Sequence, residues 1–535
     1  MPTQRRNSRQ TPVNTPSQRR DSILPIILGT QRGQEAAMYG AIRDLFIECL
    51  GYAPARVVTD IAGIEGRPDV TVRADAGITD QNGQPRLVDW IVVEAKALPG
   101  VFLNLNSRER VFGGKAKYIT PNTAWFVMID PSTIVARPVD GPTRASADIT
   151  IQITPDCDIE SVVAQLSRLH SNTAGVPAAM ERFRAGDTQL IAYQKLQPEP
   201  GISESRLRVA RRRFTAALQN SAQELCDAAD GALTVLLPEI EALRHQASRF
   251  RARYADAVVA AVPPIAYART FGREEQASMD GDARALRLAL QRSRHIARLA
   301  VDILPKFSAE NGEISNASYR KFAVQSAHLL LARVLLLRFL EDNGFFGARR
   351  YVCNGGVKAF QDVFNYFGTN YSRLLEQAYG EGAKVYAAAF DTTDLDWVIS
   401  VETEEMSRAI ERALFQVSQF DFRTVRGDVL NGIYERFQDE SQRKLLGEFY
   451  TPPSIAAHML AKAGLGPQTR VFDPACGSGT FLITAYDLII GGDLASGIAD
   501  YASARQVLAV CRIGGTQRPE RWLESGYVEL YPIQS

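Results

Sequence analysis

Cysteine is scarce in this chain: six in 535 residues, at positions 49, 157, 226, 353, 476 and 511. No two form a C-x-x-C pair. That argues against a zinc site and against a disulfide framework, and it fits a reducing cytoplasm. Net charge is nearly absent too. The formal value is +1 at pH 7, so any basic surface for a nucleic acid must be local. Long apolar runs are also missing. The most apolar one, residues 329–340, is interrupted by Arg333 and Arg338 and is too short to span a bilayer. The first residues contain no apolar h-region, so neither a secretory signal nor a membrane is expected. No repeat at solenoid spacing occurs. What is present is a length that suits about three domains, and a hydrophobic share of 45% that can bury sizeable cores.

Residues 1–21 are polar, with five arginines before the first acid, Asp21. They read as a disordered tail, solvated rather than bound to phosphates. Apolar residues at helical spacing predict a helix over residues 35–50, stopped by Gly51. β-rich segments follow at 70–73, 87–95, 124–129 and 134–138, with a polar turn at 77–85 and a helix at 158–169. Together they predict an α/β domain over residues 22–196. Gln197-Pro198-Glu199-Pro200-Gly201 reads as a linker. Residues 203–440 then read as helical. Amphipathic stretches lie at 206–219 and 243–257, and a core helix at 326–341, where Arg338 can pair with Glu341 or Asp342. Between Glu204 and Arg298 there are 16 Lys and Arg against 11 Asp and Glu, a local basic surplus. Any one of these arginines either contacts phosphate or lies on a solvated face.

Two short strings carry chemistry. The first is Arg67-Pro68-Asp69 followed by Val92-Val93-Glu94-Ala95-Lys96. Residues two apart on a strand face one side, so Glu94 and Lys96 point to one place. Two carboxylates, Asp69 and Glu94, suit Mg²⁺, and a lysine beside them can position or deprotonate a water. An exposed, salt-bridged strand would give the same letters. The second is Gly447-Glu448-Phe449-Tyr450-Thr451-Pro452, then Val471-Phe472-Asp473-Pro474-Ala475-Cys476-Gly477-Ser478-Gly479-Thr480-Phe481-Leu482. It reads as a strand ending at Val471 and Phe472, a glycine loop, and a helix from about Thr480. That arrangement offers backbone N–H groups to a ligand. No Gly-Lys-Ser/Thr follows, so it is not the phosphate-binding loop of nucleotide hydrolases.

The second string resembles motif I of the adenine-N6 DNA methyltransferases, together with the companion motif that precedes it. The resemblance implies that S-adenosylmethionine is held by Asp473, Pro474, Ala475, Cys476, Gly477, Ser478, Gly479, Thr480 and Phe481. Tyr450, Thr451 and Pro452 would close over it. The first string resembles the PD-(D/E)xK nuclease core, which implies Asp69 and Glu94 as Mg²⁺ ligands, Lys96 as the third catalytic residue, and Glu35 as an auxiliary acid. Nuclease before methyltransferase is the order of the single-chain type IIG and IIL restriction-modification enzymes. Leu335–Gly344 and Asp428–Phe437 resemble their helical connector. The implied architecture is α/β plus α. A PD-(D/E)xK-like nuclease domain comes first, then a helical-bundle connector, then over residues 441–535 part of a Rossmann-like methyltransferase domain. The implied partner is double-stranded DNA.

The family's Asn-Pro-Pro-Tyr/Phe string, which grips the flipped adenine, does not occur here. No acid for the cofactor ribose is evident either; Asp493 and Asp500 are the candidates. These gaps lead to the expectation of a piece of a longer enzyme, completed by a downstream polypeptide that supplies the missing pocket and the target-recognition domain. Two alternatives stay open: a nuclease with a regulatory methyltransferase remnant, and a non-catalytic subunit that docks on a separate chain.

Overall fold

A computed structural model of the chain describes residues 16–59, 68–79, 83–139, 147–186, 194–253, 316–364, 371–391, 393–400, 403–423 and 453–465, together with 451, 471, 480–482, 484, 485 and 488. The fold is mixed α/β, with one large sheet and many helices. The chain divides into two compact units. The first comprises residues 1–217, 353–363 and 415–422, and the second 218–352, 364–414 and 423–535. This division does not follow the 197–201 linker.

In the first unit, helices α1 (Pro16–Leu28) and α2 (Glu35–Asp44) pack on each other. A six-stranded sheet follows in the order β1-β2-β3-β4-β5-β6. Its strands are Val57–Thr59, Val70–Thr79, Pro85–Ala95, Trp125–Asp130, Thr133–Pro138 and Ile149–Gln152. Every pairing is antiparallel except β3 with β4. A parallel pair requires a crossover, and the segment between them contains helix α3 (Leu105–Gly114). β4 and β5 are buried along their whole length, as are residues 90–95 of β3. Such strands are covered on both faces, and their near-continuous β-branched and aromatic run reflects it. Val92, Phe126, Met128 and Val135 share one cluster with Phe102 and Phe112. The cluster therefore joins the sheet to α3. The buried Asp130 carboxylate fixes the approach to α3 by accepting from the N–H groups of Gly100 (3.2 Å) and Phe102 (2.8 Å).

The predicted turn at 77–85 begins later than expected. β2 continues to Thr79, which pairs with Pro85. Gly77 sits inside an irregularity of the pairing, with its N–H bonded to Asp75 Oδ1 at 2.8 Å. The helices α4 (Ile159–Gln165) and α5 (Val176–Arg184) complete this part. A two-stranded parallel pair joins β7 (Gln194–Lys195) to β8 (Phe420–Asp421).

Residues 204–253 form one helix, α6, which takes in the amphipathic stretch 206–219 and the described part of 243–257. Nothing between residues 220 and 242 breaks it except Pro238, and a single proline costs one hydrogen bond without ending a helix held elsewhere. Two of its arginines are interior, on neither a solvated nor a phosphate-facing surface. Arg206 meets Glu109 Oε1 at 2.9 Å and Asp148 Oδ1 at 3.1 Å. Arg213 donates to the carbonyls of Val139 and Pro121, the latter at 2.8 Å. Arg137 joins the same acids, 2.8 Å from Asp148 and 2.9 Å from Glu109. Three buried ionic side chains, Arg206, Arg137 and Asp148, together with the half-buried Glu109, thus tie α6 to α3 and β5, in a setting where charges must be paired.

In the second unit the helix Asn316–Asp342 is longer than the predicted core helix. Among the described residues, Tyr319–Asp342 is the one stretch long and apolar enough to cross a membrane by length and composition, and 61% of its most apolar window is buried inside the protein. Its charged residues have internal partners. Arg338 lies 3.6 Å from Glu341 and 3.2 Å from Asp342. Arg333 donates to the Ala389 carbonyl at 2.9 Å and also binds Asp396. Trp397 stacks on Phe322 and donates to Ser326 Oγ at 2.8 Å. These contacts are those of a core helix in a bundle.

Candidate functional site

The register of β2 and β3 assembles the site. Val70 pairs with Val93, so Asp69, one residue before β2, stands opposite Glu94 near the end of β3. Asp69 Oδ2 accepts from the Ala95 N–H at 2.6 Å, and its Oδ1 accepts from the Tyr39 hydroxyl at 3.0 Å. Tyr39 and Glu35 come from α2, and Glu35 Oε1 accepts from the Ala97 N–H at 3.3 Å. Lys96 falls one residue past β3, where its N–H bonds the Ile129 carbonyl at 2.9 Å. The pairing with β4 therefore continues through it, and its side chain stays on the face of Glu94.

Glu94 is 3% exposed. Both of its oxygens are engaged by lysines: Oε1 by Lys96 Nζ at 2.7 Å, and Oε2 by Lys115 Nζ at 2.9 Å. Lys115, at the C-terminal end of α3, escaped the sequence reading. No local pattern in the sequence pointed to it; the contact follows from the fold. The helix that crosses over between parallel β3 and β4 packs on the face that carries Val92 and, two residues on, Glu94. A long cation at its end can reach that carboxylate.

Burial pushes the Asp69 carboxyl above the usual carboxylate range, and Glu94 pushes it the same way, while the Ala95 N–H and the Tyr39 hydroxyl pull it partly back. Burial acts to lower Lys96, but Glu94, Glu35 and Asp69 outweigh it and hold the ammonium above its ordinary value. Burial, followed by Asp69, likewise keeps the Tyr39 hydroxyl protonated beyond its normal range.

Two carboxylates forced together against their own repulsion suit a hard divalent cation. Among the described residues no three His, Cys, Asp or Glu side chains form a ready-made metal cluster. Asp69 and Glu94 are thus the two carboxylates available to a cation here, and both oxygens of Glu94 are taken by lysines.

Of the second string, Tyr450, Pro452, Asp473, Pro474, Ala475, Cys476, Gly477, Ser478 and Gly479 lie outside the described residues, as do Asp493 and Asp500. Thr451 is half-buried and precedes a helix, Pro453–Ala463. Val471 is half-buried and belongs to no strand; Phe472 lies outside the described residues. Thr480 and Phe481 are helical, as predicted. Thr480 is buried, and its carbonyl accepts from the Thr484 hydroxyl at 2.6 Å.

Residues 424–498 match the N-6 DNA Methylase family model. That segment contains both halves of the second string. No curated protein matches the chain. Among solved structures, the chain is similar to a protein described as "cryoEM structure DrdV-DNA complex", at 14% identity and a TM-score of 0.22. The match covers 90% of this chain and 35% of that one, and the score is too low for a common fold or a common partner to follow from it.

Proposed function

We propose that this chain is a DNA restriction-modification protein of the type IIG/IIL kind, combining adenine-N6 methylation from S-adenosylmethionine with Mg²⁺-dependent DNA cleavage. The observation that carries the reading is the pairing, in one chain, of an N-6 DNA methylase segment with Asp69, Glu94 and Lys96 converging on one sheet end.

For cleavage, Asp69 and Glu94 would hold Mg²⁺, which when bound would supply charge to neutralise the scissile phosphate and to activate a water. The chain's own groups prepare that place. The Ala95 N–H and Tyr39 hydroxyl aim Asp69. Lys96 positions or deprotonates the attacking water beside the two carboxylates. Glu35 supports the turn after Lys96 through the Ala97 N–H. For methylation, Asp473 and residues 474–481 bind the methionine end of the cofactor, with Tyr450, Thr451 and Pro452 over it. Double-stranded DNA is the substrate of both reactions, and the cytoplasm is where both would work. The absence of an Asn-Pro-Pro-Tyr/Phe string among the 535 residues favours one second reading: a separate polypeptide supplies the adenine pocket, and this chain is the nuclease-bearing partner.

The test uses the purified chain, Mg²⁺ and supercoiled plasmid. The parent is expected to nick. Asp69→Ala, Glu94→Ala and Lys96→Ala are each expected to lose nicking; folding of each is checked by its circular dichroism spectrum, and Glu94→Ala, which removes the buried partner of two lysines, is the one expected to lower the thermal midpoint. An Asp69→Ala chain that cuts like the parent sinks the nuclease half. Equilibrium dialysis with labelled S-adenosylmethionine tests the other half. Gly477→Val is expected to weaken binding by roughly tenfold or more, since a branched side chain blocks close backbone approach. Unchanged binding overturns the cofactor assignment.

A further inference from the structure

A second lysine on Glu94 calls for an explanation that the nuclease reading does not supply, and the one offered here rests on that reading. We propose that Lys115 is a further residue of the cleavage site. It holds Glu94 Oε2 in the cation-free chain, gives way there to a divalent cation, and then binds the DNA phosphate.

Without a metal, three carboxylates, Glu35, Asp69 and Glu94, stand near two ammonium groups, Lys96 and Lys115, and a carboxylate as buried as Glu94 requires such neutralisation. Lys96 alone serves Oε1, at 2.7 Å, and also donates to the Ala95 carbonyl at 3.0 Å. Lys115 serves only Oε2, at 2.9 Å. An ammonium and a divalent cation compete for one oxygen, and the more highly charged ion wins it.

Lys115 is built to leave and to stay near. Its backbone is anchored: the N–H bonds the Val111 carbonyl at 3.0 Å, and the preceding turn places Phe112 in the core against Phe126. Its side chain is 31% exposed, on a flexible stem, and the Tyr118 ring, with its centre 5.7 Å from Nζ, offers the ammonium a second contact. Once displaced, the ammonium is a strong point-charge donor beside a phosphate already drawn to the site.

The experiment uses the full chain with Lys115→Met, Lys115→Gln and Lys115→Arg, beside the parent and Asp69→Ala. Three quantities are read: the thermal midpoint in EDTA, the Mg²⁺ concentration that half-completes the Mg²⁺-induced thermal shift, and the single-turnover nicking rate at saturating Mg²⁺. Losing a neighbouring positive charge is expected to lower the Mg²⁺ midpoint roughly three- to tenfold in Lys115→Met and Lys115→Gln. Their nicking rate is expected to fall about tenfold or more, and Lys115→Arg to keep it within about threefold. A merely structural ion pair would move metal affinity and rate in the same direction, together with the EDTA midpoint. Parent-like nicking in Lys115→Met and Lys115→Gln, a raised Mg²⁺ midpoint, or no rescue by arginine overturns the role of Lys115 alone, provided Asp69→Ala is inactive. A parent with no Mg²⁺-dependent nicking overturns the nuclease reading, and this role with it.

Discussion

His328 lies in the apolar helix Asn316–Asp342, and burial pushes its imidazole down to about 4. A group depressed in the folded state gives stability that is complete above its unfolded value, near 6.5, and is lost as pH falls toward the folded one. The second unit should therefore weaken between roughly pH 6.5 and 4, by up to about 3 kcal/mol. His328→Gln should flatten that slope, as measured by denaturant unfolding across the range. Residue chemistry was unevenly legible in the sequence. Asp69, Glu94 and Lys96 could be named because the spacing of a strand dictates which side chains share a face. Lys115 could not, because its partner is set by how a crossover helix ends, which no local pattern records.

Asp148 shows how elements are held. Its side chain is 1% exposed and faces Arg137, Arg206 and, at 3.9 Å, Arg108. Asp148→Ala would strand buried guanidinium groups, and the expected loss is about 3–5 kcal/mol, read from chemical denaturation. A second test concerns the helix Tyr371–Val385. A Cβ at Gly382 would stand 2.5 Å from a ring carbon of Phe390, so Gly382→Ala is expected to cost about 1–3 kcal/mol through forced repacking. The strands were readable because β-branched and aromatic runs end at turn residues. The helical character of α6 was also readable, but not that it runs unbroken past Pro238. The burial of Arg206 and Arg213 was equally hidden: periodicity reports which face a residue occupies, and not that an acid waits there.

For the whole molecule, the proposed activities separate. The adenine-gripping string is absent from the 535 residues, and flipping a base costs a few kcal/mol that only a pocket repays. The chain by itself is therefore expected to bind S-adenosylmethionine yet transfer no methyl group to mixed-sequence DNA, as scored by labelled methyl incorporation. Incorporation by the chain alone would mean that a different string does this work. The methylase segment was legible because its string of glycines, prolines and an aspartate is distinctive, and it lies inside the stretch that matches the family model. The helices of residues 203–440 were legible from apolar spacing, as Asn316–Asp342 and Tyr371–Val385 show.

The β2–β3 ladder contains a break in step. Val72 pairs with Ile91 but Arg73 pairs with Asp89, which leaves Trp90 out of register with β2 while its carbonyl still accepts from the Ala124 N–H at 2.9 Å. The ribbon beyond this point is thus uncoupled in phase from the pair that carries Asp69 and Glu94. Insertions, deletions or a grafted peptide between Thr79 and Pro85 can accumulate there without moving either carboxylate. The hairpin is therefore a place where a reporter peptide is expected to be tolerated while Asp69 and Glu94, at the other end of the same two strands, keep their positions.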